Sequence, residues 1–234
     1  MSLFVMSDLH LSLSCDKPMD IFGERWTDYI QKIEKNWIDR VNRDDTVVVP
    51  GDISWSMNME EGIEDFVFLE NLPGTKLISK GNHDYWWATL AKQQAFLEKN
   101  NLTTIKPLYN NAYLVDGIMV CGARGWYNDD KNAPADSDYE KIVSREVGRL
   151  ELSFAEADRI DSTAEKKVFL HFPPLLGDYI CYPIIECMEA HGVRECFFGH
   201  IHGNYSLPER TYYNDICFRL VSADYLNFKP LCID

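Results

Sequence analysis

The sequence has no CxxC pair, an odd number of cysteines, few cations and no long apolar run. Seven cysteines, Cys15, Cys121, Cys181, Cys187, Cys196, Cys217 and Cys232, are scattered over 234 residues. An odd count without close pairs argues against a disulfide framework and a thiolate zinc knuckle. Reduced, mostly buried thiols are expected instead. No stretch approaches the roughly 20 consecutive apolar residues of a membrane span. The first eight residues carry neither a basic region nor an apolar core, so they do not read as a secretory leader. The expected location is the cytoplasm. Lys and Arg number 23 against 37 Asp and Glu, a formal net charge of −14. Tracking a nucleic-acid backbone takes an excess of cations, so long nucleic acid is not the expected partner. A local basic patch or a bound metal could still receive one phosphate. The acid surplus otherwise serves solubility.

Internal repeats, low-complexity segments and long linkers are missing too. What remains is an ordinary globular composition, 46% hydrophobic and 26% charged. A chain this long buries roughly 70–75% of its unfolded surface, and residues 1–234 read as a single domain. Leu3–Ser7, Thr46–Val49 and Lys76–Ser79 read as strands, and Glu24–Arg43, Glu60–Leu72 and Tyr85–Lys99 as helices. Their alternation predicts an α/β fold with largely parallel central strands. Asp116-Gly117, between Ala112–Val115 and Ile118–Cys121, is a two-residue hairpin signal. Tyr127–Asp138 reads as a polar loop, and its acidic stretch Asn128-Asp129-Asp130 could form a solvated turn or a lid. Glu140–Ile160 reads as a helix. Val168–Leu170 and Cys196–Phe198 read as buried strands around a helix near Pro183–His191. The β-rich tail from Thr211 to Ile233 makes a second, partly antiparallel sheet plausible.

Five of these strands run into polar clusters. Asp8 and His10 follow the first, Gly51-Asp52 the second, and Gly81-Asn82-His83-Asp84 the third. His171 follows Val168–Leu170, and Gly199-His200-Ile201-His202 follows Cys196–Phe198. In open α/β sheets, sites form beyond the carboxyl ends of the strands, so these clusters converge if their strands share that edge. Five of the six histidines lie in them, His191 being the exception. A set of carboxylates, imidazoles and an amide suits manganese, iron or zinc. Pairs two residues apart, Asp8 with His10 and His200 with His202, can share one strand face or straddle two ions. The glycines at 51, 81 and 199 would let backbone turn sharply and approach the ions.

The ordered pattern Asp8-x-His10, Gly51-Asp52, Gly81-Asn82-His83-Asp84, His171 and Gly199-His200-x-His202 resembles the calcineurin-like metallophosphoesterases over residues 8 to 202. Pro50-Gly51-Asp52-Ile53-Ser54-Trp55, Asp84-Tyr85-Trp86-Trp87 and Gly122-Ala123-Arg124-Gly125-Trp126 resemble a bacterial subgroup of predicted phosphohydrolases. The resemblance implies a four-layer α/β/β/α sandwich of two mixed sheets with a dinuclear metal centre. It implies that Asp8, His10, Asp52 and His202 hold one ion, and that Asn82, His171 and His200 complete a second site bridged by Asp52. His83 would face the substrate phosphate as general acid, with Asp84 fixing its ring. The implied activity is hydrolysis of a small phosphorylated substrate, monoester or diester, by a metal-activated water. The alternative is a non-catalytic metal-binding interaction module of the same fold. Short oligonucleotides and cyclic nucleotides stay open as substrates.

Arg124 has two readings, a bidentate phosphate clamp or an ordinary ion pair. Trp55, Tyr85, Trp86, Trp87 and Trp126 could line a substrate cleft or fill core. For His191, a position at a helix end is sufficient explanation.

Overall fold

The computed structural model describes residues 1–17, 19–127 and 136–233. The first half contains β1 (Leu3–Val5), α1 (Tyr29–Ile38), β2 (Thr46–Pro50), α2 (Ile63–Asn71), β3 (Thr75–Ser79), α3 (Leu90–Lys99) and β4 (Ile105–Pro107). Next come β5 (Ala112–Val115), β6 (Ile118–Ala123), α4 (Asp136–Asp161) and β7 (Glu165–Leu170). The chain continues through β8 (Leu175–Leu176), β9 (Tyr179–Ile180), α5 (Tyr182–Ala190), β10 (Glu195–Phe198), β11 (Thr211–Tyr213), β12 (Ile216–Leu220) and β13 (Leu231–Ile233).

Two mixed sheets result. The first has the order β13-β1-β2-β3-β4, with β13 antiparallel and the other four strands parallel. The second has the order β11-β12-β10-β7-β6-β5, with a parallel centre and an antiparallel strand at each edge. The side-chain period of two then builds three apolar layers. On the first sheet, Phe4, Val47, Val49 and Ile78 face α1, α2 and α3, where they meet Ile33, Trp37, Phe66, Leu69 and Phe96. Their neighbours Leu3, Val5, Val48 and Leu77 point the other way, against Val120, Phe169 and Phe197 of the second sheet. On that sheet's far face, Met119, Cys121, Val168, Leu170 and Cys196 pack on Leu150 and Phe154 of α4 and on Ile184 and Met188 of α5. The four-layer α/β/β/α sandwich is therefore the observed architecture. All seven cysteines are free, and no helix among the described residues is long and apolar enough to cross a membrane.

Several element boundaries differ from expectation for local reasons. The helix expected over Glu24–Arg43 is a 3-10 turn at Glu24–Trp26 followed by α1. Asp28 breaks it by adopting a left-handed φ of 53°. The helix expected from Tyr85 starts only at Leu90, because residues 84–87 turn back around the Asp84 carboxylate. Helix α4 starts at Asp136, so part of the expected Tyr127–Asp138 loop is helical. The acidic stretch 128–130 lies outside the described residues. Strand β4 and the small β8–β9 hairpin had no clear sequence signal.

Lys76 on β3 is completely buried. Its Nζ donates to the carbonyls of Glu70 (3.3 Å), Leu72 (2.7 Å) and Gly74 (2.9 Å). It thereby satisfies carbonyls that the end of α2 and its turn leave without partners. Lys76→Met keeps most of the side-chain volume and strands those carbonyls. Its expected cost is about 2–3 kcal/mol, measured by urea unfolding. A loss below about 1 kcal/mol would show that the carbonyls find other donors.

Candidate metal centre

The carboxyl ends of β1, β2, β3, β7, β10 and β12 meet at one edge of the sandwich. Backbone bonds stitch the turns beyond them together. Ser7 N–H donates to the Val221 carbonyl at 2.9 Å and Asp8 N–H to the Gly51 carbonyl at 3.0 Å. Gly199 N–H donates to the His171 carbonyl, also at 3.0 Å. The polar clusters read from the sequence are thus brought to a single place.

Their donor atoms form two groups. Asp8, His10 and His202 make one, and Asp52, His171 and His200 the other, with the ligand atoms of each group within 4.8 Å of one another. In the first, His10 Nε2 lies 3.2 Å and Asp8 Oδ1 3.4 Å from His202 Nε2. In the second, Asn82 Oδ1 lies 2.7 Å from His171 Nε2 and 3.0 Å from His200 Nδ1. Asp52 Oδ2 reaches toward both, 3.7 Å from His10 Nε2 and 3.5 Å from His171 Nε2. Convergent carboxylate, amide and imidazole donors without a thiolate fit a first-row divalent ion.

The backbone is strained to achieve this. Asp8, His10, Asp52 and His200 all have positive φ, at 60°, 46°, 52° and 71°, a region costly for residues with a Cβ. Asp8 is held by the hydroxyls of Ser7 and Ser222 and by the backbone N–H of His200. A methyl group on Gly81 would strike the Asp52 carboxylate, and one on Gly199 would strike Asp8. Glycine is needed at both positions because the backbone passes directly against a candidate ligand.

Burial sets the charge states. It pulls the imidazoles of His10 and His171 below their ordinary value, His171 to about 3. Both rings are therefore neutral, the form that donates a lone pair to a cation. Burial also pulls His202 down, but hydrogen bonds to Asp224 and Asp8 outweigh it and lift the ring to about 10. Burial, then the charges of Asp8 and Asp84, push the Asp52 carboxyl well above the usual range. A cation between the carboxylates would reverse that preference.

Asp224 was not singled out from the sequence. It is fully buried, and its carboxylate accepts from His202 Nδ1 at 2.8 Å, Gly203 N–H at 3.0 Å and the Tyr205 hydroxyl at 3.2 Å. A carboxylate behind a ligating histidine fixes ring orientation and raises basicity. The available signal was position alone: Asp224 follows β12 as Asp8 follows β1.

The expected role of Asp84 needs correction. Its carboxylate does not hold the His83 ring. It accepts from the backbone N–H groups of Gly81, Asp52, Ile53 and Ser54 and from the Trp86 indole. Adjacent side chains diverge, and Asp84 points inward. His83 is tied to the centre through its backbone N–H, which donates to Asp52 Oδ1 at 2.8 Å. Its ring lies 4.4 Å from that of Trp55, and its buried Nδ1 has no partner among the described residues. Burial holds the ring below the ordinary histidine value.

His10, His83 and His202 open into a cleft of about 290 Å³ walled by Phe22, Trp26, Trp55 and Tyr205. Of the five aromatics considered for such a role, Trp55 alone lines this cleft. Trp86 is core, Trp87 lines a different cavity, Trp126 packs on Phe172, and Tyr85 stands exposed 6.2 Å from His83. Arg124 is outside both donor groups. Its backbone carbonyl accepts from His171 and Phe172, and its guanidinium lies 3.7 Å from Glu146. His191 ends α5, stacks on Phe154 at 4.3 Å and pairs with Glu151.

Comparisons with known proteins agree with this picture. A solved structure of TT1561 from Thermus thermophilus superposes with a TM-score of 0.53 at 10% identity, covering 99% of this chain and 97% of that one. A protein of unknown function from Aquifex aeolicus, AQ665, matches with a TM-score of 0.48 at 16% identity, covering 99% and 95%. At such identity the first likeness speaks to fold alone. No curated protein matches the sequence. The family model for calcineurin-like phosphoesterases matches residues 1–204, and with the strand-end donor groups in place the chain belongs to that family.

Proposed function

We propose that the protein is a phosphoester hydrolase working with two divalent metal ions. The observation that carries this reading is Asp52, whose single carboxylate reaches toward both donor groups. Asp8, His10, Asp52 and His202 would hold one ion, and Asp52, Asn82, His171 and His200 the other. Two such ions supply a water of lowered pKa and a grip on the phosphate oxygens. Manganese, iron and zinc all suit the donors.

The remaining work falls to the chain itself. The aromatic cleft beside His10 and His83 takes the organic part of the substrate and excludes water from it. His83 donates a proton to the departing oxygen. Burial disfavours its charged form, so it is mostly neutral before substrate binds. A bound phosphate places negative charge nearby and draws the proton onto the ring. Asp84 acts through the backbone, fixing where His83 and Asp52 stand.

The first test is manganese-dependent turnover of p-nitrophenyl phosphate and bis-p-nitrophenyl phosphate. Turnover of one or both is expected, and their ratio assigns the monoester or diester preference. In His83→Ala, hydrolysis of phenyl phosphate, with its poorer leaving group, should fall about 100-fold or more, and p-nitrophenyl phosphate less. Equal losses on both would remove His83 as the acid. No turnover of any ester by protein holding two metals per chain would overturn the hydrolase reading.

Asp224→Asn provides an independent check on the centre. Losing the carboxylate behind His202 should weaken manganese binding about 10–100-fold, followed by calorimetric titration. Unchanged affinity would exclude His202 as a ligand oriented by Asp224.

A further inference from the structure

A second cavity, of about 160 Å³, lies between the ends of β3 and β6. Ser79, Lys80, Trp87, Arg124 and Arg149 line it. It belongs to neither donor group, and cations outnumber carboxylates around it. Three cations face a single carboxylate, Glu146, in a chain whose net charge is −14. Glu146 Oε1 serves two of them, Arg149 Nη1 at 2.6 Å and Arg124 Nη2 at 3.7 Å. No carboxylate among the described residues lies within ion-pair reach of Lys80. The nearby Asp84 carboxylate is occupied by backbone N–H groups.

Among the unpartnered buried atoms here, three donors stand against one acceptor, Glu146 Oε2. The Ser79 hydroxyl, the Trp87 indole N–H and the Arg124 Nε–H are buried and have no partner among the described residues. Ser79 as a whole is 1% exposed. Buried donors normally have acceptors, and an unmet one costs about 1–3 kcal/mol. Clustered around one cavity, they describe an acceptor-rich, negatively charged occupant. The volume is below that of a pocket for a whole ligand, but it suits one anionic group.

We infer that this cavity is an oxyanion subsite, taking a phosphate or carboxylate group between Arg124, Arg149, Lys80 and the unpartnered donors. Both walls continue into the candidate metal centre. Lys80 is two residues before Asn82, and the Arg124 carbonyl accepts from His171 N–H at 3.1 Å. A substrate whose scissile phosphate sits on the metals can thus present a second anionic group here. That use by a substrate rests on the hydrolase reading, whereas the anion site itself does not.

Sulfate is titrated calorimetrically into the full chain with and without manganese, so that binding at the metals is told apart from binding in the cavity, and in the same way into Arg149→Met and Lys80→Met shown to keep their metal content and circular dichroism. Each variant should weaken sulfate binding at least tenfold. Equal affinity in the wild type and both variants would overturn the proposal, whatever the enzyme assays give. A kinetic arm then identifies the source of the anion. The ratio of kcat/KM for fructose 1,6-bisphosphate over fructose 6-phosphate should fall at least tenfold in Arg149→Met if a substrate carries the group. Weakened sulfate binding with an unchanged ratio would support the site and assign it to a free anion. Should no ester turn over at all, the sulfate titration still decides.

Discussion

The candidate site depends on one carboxylate that is completely buried beneath it. Asp84 gathers the backbone N–H groups of Asp52, Ile53 and Ser54 from the turn after β2 and that of Gly81 from the turn after β3, at 2.7–3.3 Å. The Trp86 indole closes the shell at 3.0 Å. Burial pushes the carboxyl up, to about 6, against the pull of those donors. Charge-assisted bonds of this kind are strong inside a protein. They hold Asp52 at a positive φ that an aspartate would otherwise leave, and Asp52 in turn receives the His83 N–H. Remove the Asp84 carboxylate and four buried amides lose their acceptor at once. The position of Asp52 between the two donor groups and the placement of His83 would be lost with it.

The sandwich supplies the rest of the preorganisation. A parallel strand ends in a turn whose N–H and C=O groups have left the ladder and need new partners. Here the turns satisfy one another, Ser7 with Val221 and Ala223 across the two sheets and Gly199 with His171 within the second. Four candidate ligands in left-handed conformations are tolerable because these bonds over-determine them. The strain sits where loop geometry matters most, and the three apolar layers beneath carry the stability that offsets it.

Much of this was legible in the sequence because the period-two pattern and the strand-end polar clusters are local signals. Val47-Val48-Val49 ending in Gly51-Asp52 says strand, edge and candidate ligand within six residues. The ordered motifs then converged as expected. Two kinds of information were not local. Helix starts slipped where a tertiary demand overrode propensity, as when residues 84–87 wrapped the Asp84 carboxylate instead of extending α3. The partners of buried carboxylates were also hidden. Adjacency suggested that Asp84 serves His83, whereas the fold gives it to the backbone and supplies His202 with Asp224, 22 residues away in sequence. Hydrogen bonds at that separation leave no periodicity to read.

The charge distribution separates two tasks that composition alone merges. A net −14 disfavours polyanions at the surface through long-range repulsion, which salt screens over about 10 Å. Inside that range local groups decide. Burial keeps His10 and His171 neutral and ready for cations, and Lys80, Arg124 and Arg149 outnumber Glu146 in the neighbouring cavity. The donor groups are therefore flanked by surroundings of opposite character, an aromatic cleft beside His10 and His83 and a cationic cavity whose Lys80 lies two residues before Asn82. A small phosphoester with an apolar body at one end and a second anionic group at the other satisfies both.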